Sequence, residues 1–227
     1  MPVERLFTEK DIQDLLEKNA APPHGRRNAA LIMGATYWGL TPIELSLLSV
    51  KDVLSENGDF YAIWIVPEHI AVNGIARESR TGDHALIFFE GYLQYRIVNN
   101  LGLSNLSTYR TLDPESKFFL NNYGEPYKLT PRKKGSGVYQ PRSMTEQLKR
   151  MIGRTNLKGA TPASFRDSFI RGCYDHGCQW NELKMISGIK HKRTIEKKIR
   201  PKEAELEVVF NKLYSRVKYP FNDLVAE

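Results

Sequence analysis

Thr161-Pro-Ala-Ser-Phe-Arg-Asp-Ser-Phe-Ile-Arg-Gly-Cys-Tyr-Asp-His-Gly177 is followed by Trp180-Asn-Glu-Leu-Lys-Met-Ile-Ser-Gly188 and then by Lys190-His-Lys-Arg-Thr-Ile-Glu-Lys-Lys-Ile-Arg200. The first segment predicts a helix. Thr161 suits the N-cap and Pro162 the first helical position. Gly177 is a natural stop in left-handed conformation. A second short helix is expected over 180–187, stopping at Gly188. Beyond it Lys190, Lys192, Arg193, Lys197, Lys198, Arg200 and Lys202 are opposed by a single acid, Glu196. The stretch reads as a helix-turn-helix followed by a cationic arm.

The charge of the whole chain agrees with that arm. Residues 1–113 hold 10 Lys and Arg against 14 Asp and Glu, and residues 114–227 hold 23 against 12, so the halves carry −4 and +11. A basic half on an otherwise balanced chain points to a polyanion on one face, and nucleic acid is the usual polyanion. The bland alternative is a solvated lysine-rich surface. At 227 residues and 41% hydrophobic, the chain is long enough for one cored domain. Cys173 and Cys178 make neither a disulfide framework nor a zinc set, and read as reduced, idle thiols. No metal or cofactor is expected. The start carries no cationic-then-apolar signal and no apolar run approaches membrane-spanning length, so the expectation is a cytoplasmic, DNA-associated protein without a membrane partner.

Upstream, Thr8 caps a helix with Asp11 at its third position, and Ile12, Leu15 and Leu16 form its apolar stripe. An apolar helix follows over 27–38 and stops at Gly39. Thr41-Pro-Ile-Glu44 carries the strongest local signal, a cap, a first-turn proline and a capping-box acid, and starts a helix expected to end near Lys51. Strands are expected over 60–66 and 84–89, with Asn73-Gly74 as a type I′ hairpin turn. Helices are expected over 90–100, 143–152 and 203–217, with 118–120 a short strand and 131–137 a basic loop. The fold class is α+β, mostly helical, with a small antiparallel sheet.

Two of these regions resemble the catalytic domain of tyrosine recombinases, the phage integrase family. The family reads Thr-Gly-Leu-Arg-x-x-Glu-Leu where this chain has Trp-Gly39-Leu40-Thr41-Pro-Ile-Glu44-Leu45, with Asp52 matching beyond it. It reads His-x-x-Arg-His-x-Phe where this chain has Ala163, Arg166, Asp167 and Phe169, and two family glycines fall on Gly177 and Gly188. The resemblance implies the recombinase catalytic-domain fold in a single domain over 1–227, without the N-terminal DNA-clamping domain. It implies double-stranded DNA as partner, and a C-terminal helix and tail (203–227) that docks on a second copy or a recombinase partner.

The family's chemistry is attack of a tyrosine on a DNA phosphate, assisted by two arginines, histidines and a lysine. The first arginine falls on Thr41, the histidines on Ala163, Asp167 and Ile189, and the tyrosine on Lys198. Only Arg166 keeps a family catalytic type. The hairpin that brings the family's proton-donating lysine has none here, since no lysine lies between Lys51 and Lys117. Arg77 or Arg80 could bind phosphate in that region, but an arginine stays charged and is a poor proton donor. Each missing preorganised donor removes roughly 10²–10³ in rate. The resemblance therefore implies a DNA-binding protein that has lost cleavage and serves as a regulator, an accessory factor or a blocker of sites. Its expected DNA contacts are Arg166, Lys190, His191, Lys192, Arg193, Lys197 and Lys198, with Arg132, Lys133 and Lys134 in the basic loop. The alternatives are an active recombinase that borrows groups from a partner or uses Tyr214 or Tyr219, and a protein-interaction module without DNA binding.

Overall fold

The computed structural model describes residues 5–133, 135, 137–199, 207, 208, 210, 212 and 213. Lys134, Arg200, Lys202, Tyr214, Tyr219 and most of the helix expected over 203–217 fall outside the described residues.

Helix α1 (Glu9–Lys18) opens on the expected capping box, with Thr8 and Asp11 exchanging hydrogen bonds. Helix α2 (Gly25–Thr36) is the most buried helix, because its Ala, Leu, Ile and Gly residues leave little polar surface to solvate. It packs chiefly on α5 (Asp83–Val98) and also on α1, α3 (Pro42–Leu47) and α7 (Pro162–Asp175). Between α2 and α5 lies an aromatic core. Trp38 stacks on Phe89 with ring centroids 3.7 Å apart and meets Trp64 edge-on at 5.1 Å. Phe118, Phe119 and Tyr92 close around them. A second, smaller core of Ile170, Leu183, Ile189 and Ile195 lies beneath α7, α8 (Trp180–Ser187) and α9 (Lys192–Ile199). Helix α6 (Arg142–Gly153) completes the bundle. Strands β1 (Ile63–Val66) and β2 (Arg77–Arg80) form an antiparallel pair, Ile63 opposite Arg80 and Val66 opposite Arg77. Strands β3 (Thr130–Pro131) and β4 (Tyr139–Gln140) form a two-residue antiparallel ladder, Thr130 opposite Gln140 and Pro131 opposite Tyr139. The mostly helical class with a small antiparallel sheet holds.

Five local expectations change. Residues 84–89 are not a strand but the first half of α5, so the helix expected over 90–100 is its second half. Ala85, Phe89, Tyr92, Leu93 and Arg96 bury at helical spacing along it, and a run of five apolar residues alone cannot distinguish the two states. The partner of β1 is the polar β2. Asn73-Gly74 is not a type I′ turn, since Gly74 has φ +59° while Asn73 is not among the positive-φ residues and that turn needs both. Ten residues, 67–76, separate the two strands, and the Asn73 amide donates to the Gly188 carbonyl at 2.8 Å. The helix from Thr41 stops at Leu47. Leu48 is extended, and Ser49 starts a separate turn, α4 (Val50–Val53). Residues 118–120 are buried core held by isolated bridges at Lys117 and Leu120 rather than a strand. Finally, the cationic arm is the helix α9, because Ile195 anchors it in the second core.

Candidate nucleic-acid interface and the catalytic positions

Gly39 and Phe169 join the two halves of the site. Gly39 has φ +61°, and a Cβ there would lie 2.3 Å from the Phe169 ring. Only glycine meets both demands. The chain then enters α3 through the Thr41 cap, and the Glu44 carboxylate accepts from the Thr41 N–H at 2.8 Å.

Glu44 is the hub. Its side chain is fully buried, and it accepts from Arg77 through both terminal nitrogens at 2.5 and 2.8 Å, from Arg166 at 3.1 Å and from the Val72 N–H at 3.1 Å. Arg166 also donates to the Gly39 carbonyl at 3.2 Å and to the Ser187 carbonyl. Its side chain is 11% exposed, and that of Arg77 is 2% exposed. Burial alone would raise the Glu44 carboxyl, but the Arg77 hydrogen bonds and the charges of Arg77 and Arg166 outweigh it and hold the group below the usual range. Burial pushes Arg166 down, opposed by Glu44. Arg166 thus donates to protein acceptors in the turn at Gly39, in α3 and at the end of α8, so the phosphate contact expected of it meets a guanidinium already engaged in the fold.

The remaining family positions separate. Thr41 is a helix cap. Ala163 is exposed in the first turn of α7. Ile189 is a core residue of the second cluster, 9% exposed. Asp167 and Lys198, which the resemblance aligned with a histidine and with the tyrosine, are brought together as an ion pair with side chains 8% and 25% exposed. A lysine there, tied to a carboxylate, holds α9 against α7. It has no hydroxyl with which to form a phosphate ester.

The rest of α9 and its approach turn outward. Lys190, His191, Lys192, Arg193 and Lys197 are all exposed. Glu196 answers Lys192 loosely at 3.7 Å. Lys184 and Lys192 sit over the Trp180 ring at 5.6 and 5.7 Å from its centre, where the ring face attracts both cations. Sequence reasoning left out Lys184 and Trp180, and weighed Arg77 as a phosphate binder where the structure has it buried against Glu44. The first two stand one helical turn apart in α8, a spacing that could have signalled them. Arg132 and Lys133 are exposed at the tip of the β3–β4 hairpin. Among the described residues no cluster of His, Cys, Asp and Glu is arranged to hold a metal, and no helix is long and apolar enough to cross a membrane.

Solved structures share this architecture. XerA recombinase superposes with a TM-score of 0.66 at 14% identity, over 96% of this chain and 68% of that one. XerH recombinase in a post-cleavage complex with palindromic difH substrate gives 0.61 at 16% identity, over 93% and 54%. The Tn1549 transposon integrase in complex with transposon right end DNA gives 0.57 at 16% identity, over 93% and 66%. The chain spans between about half and two thirds of the length of these proteins. The fold is that of the tyrosine-recombinase catalytic domain. No protein-family model matches the sequence, and no curated protein matches it.

Proposed function

We propose that this chain binds double-stranded DNA through its recombinase fold and does not cleave it, acting as a regulator or accessory factor at DNA sites. The observation that carries the reading is the Asp167–Lys198 ion pair, which puts a lysine committed to a carboxylate at the position aligned with the nucleophile. Three features support it. Thr41 is committed as a cap, Ile189 is core, and the hairpin segment has no lysine. Each removes a different catalytic group, in a different part of the chain. The exposed cations of α9 and of its approach, with Lys184 on α8, supply charge for the phosphate backbone. The DNA complexes among the similar structures favour the same partner. Lys190, His191, Lys192, Arg193 and Lys197 are the proposed backbone contacts, with Arg132 and Lys133 of the hairpin tip. Arg166 and Lys198 serve the fold.

The test is fluorescence anisotropy with duplex DNA at low and raised salt. Affinity falling steeply with salt, as counterion release requires, supports the reading. Undetectable binding at low salt, or affinity indifferent to salt, contradicts it and favours a protein-interaction module.

A further inference from the structure

The two cysteines are placed in contact by the way α7 ends. The Cys178 N–H donates to the Cys173 carbonyl at 3.0 Å, and the Gly177 N–H donates to the Tyr174 carbonyl at 2.9 Å. With Gly177 at φ +99°, this crossed pair is the Schellman ending, which brings the side chain after the glycine back onto the last helical turn. That contact is ordinarily apolar. Here both members are cysteines, and both side chains pack against the second core. Residues bridged this way sit at a separation suited to a disulfide. Both thiols are free and half-buried. They line a cavity of about 620 Å³ with Phe7, Ile12, Phe169 and Ile186, open enough for a small reagent to reach them.

We propose that Cys173 and Cys178 form a redox-active dithiol that closes reversibly to an intramolecular disulfide by exchange with low-molecular-weight disulfides. The Cys178 thiolate attacks one sulfur of the small disulfide, forming a mixed disulfide and releasing one thiolate. Cys173 then loses its proton to solvent and attacks the Cys178 sulfur, releasing the second thiolate. Two protein thiols are oxidised and one small disulfide is reduced to two thiols. The order follows from burial, which with the neighbouring Cys178 pushes the Cys173 thiol up to about 12 and makes it a poor first nucleophile. The bond pins the corner from which α8 leaves α7. This inference is independent of the DNA-binding reading.

The experiment treats the reduced full chain with oxidised glutathione at neutral pH and maps it by mass spectrometry. Both cysteines lie in one tryptic peptide, residues 172–184. The expected product is that peptide lighter by two hydrogens, restored by dithiothreitol. Cys173→Ser should trap one glutathione on Cys178. Cys178→Ser should react at Cys173 at least about tenfold more slowly. Two glutathione adducts on the unaltered chain, a cross-link between chains, or two thiols that stay free would each overturn the proposal. Equal trapping rates in the two variants would overturn the order of attack.

Discussion

Arg166→Ala separates a structural arginine from a phosphate-binding one. In the fold Arg166 donates to the Gly39 carbonyl, the Ser187 carbonyl and the Glu44 carboxylate, at 11% side-chain exposure. Truncation leaves Glu44 still paired with Arg77, so the acid is not orphaned. It does leave two carbonyls short of a donor in a largely buried site, at roughly 1–3 kcal/mol for each unsatisfied group. Partial access of water brings the expected cost to about 3 kcal/mol. For a chain of this length each kcal/mol moves the melting temperature by about 2–4 °C, so the midpoint should fall by roughly 6–12 °C. The assay is thermal unfolding followed by circular dichroism, alongside anisotropy with duplex DNA below the new midpoint. Affinity should stay within about twofold, because the exposed cations of α9 are untouched. A midpoint that does not move, together with a large loss of affinity, would refute the reasoning and return Arg166 to the DNA.

Three further outcomes follow from the same site. A double-mutant cycle on Asp167→Asn and Lys198→Met should give a coupling within the roughly 0.5–3 kcal/mol found for contacting residues, and additivity by urea unfolding would show the pair to be idle. Glu44 titrates below its ordinary value of 4.5 in the folded chain. Its contribution is therefore present above the unfolded pKa and is lost as pH falls through the folded one. Acid unfolding of Glu44→Gln should be less steep below about pH 4.5 than that of the unaltered chain, and identical pH profiles would contradict the assignment. Replacing Lys190, Lys192, Arg193 and Lys197 with alanine should weaken DNA binding on all sequences alike and reduce the salt slope by about 0.9 for each contact removed; an unchanged slope would place the DNA elsewhere.

What could be read in the sequence was whatever local chemistry decides. The Thr8 and Thr41 capping boxes, the stops at Gly177 and Gly188, and the helices at α6, α7 and α8 all rest on residues a few positions apart, whereas the helix expected to reach Trp38 ends at Thr36. What tertiary contacts decide was not legible. Strand β2 is Arg-Glu-Ser-Arg, without a β-branched residue, and is a strand because it pairs with β1 while Arg77 reaches Glu44. Helix α9 looked like a solvated arm because its charges hide the buried anchor Ile195 and the half-buried Ile199 beside it. The Asp167–Lys198 pair joins positions 31 residues apart on different helices, beyond any periodicity. Each position could be singled out by the resemblance alone. Their mutual neutralisation could not.

The central claim is that the chain engages DNA without covalent chemistry. Because the DNA sequence it reads is open, the direct measurement uses a randomised library of nicked duplexes, in which a cleaved strand escapes and a protein–DNA ester is trapped. Binding is measured in the same samples that are then run on denaturing gels. The account predicts retained binding with no protein–DNA adduct, for the unaltered chain and equally for Lys198→Tyr, which still lacks the first arginine and the proton donor. An adduct on the unaltered chain, mapped by mass spectrometry to Tyr214 or Tyr219, would contradict it and identify an active recombinase with a displaced nucleophile.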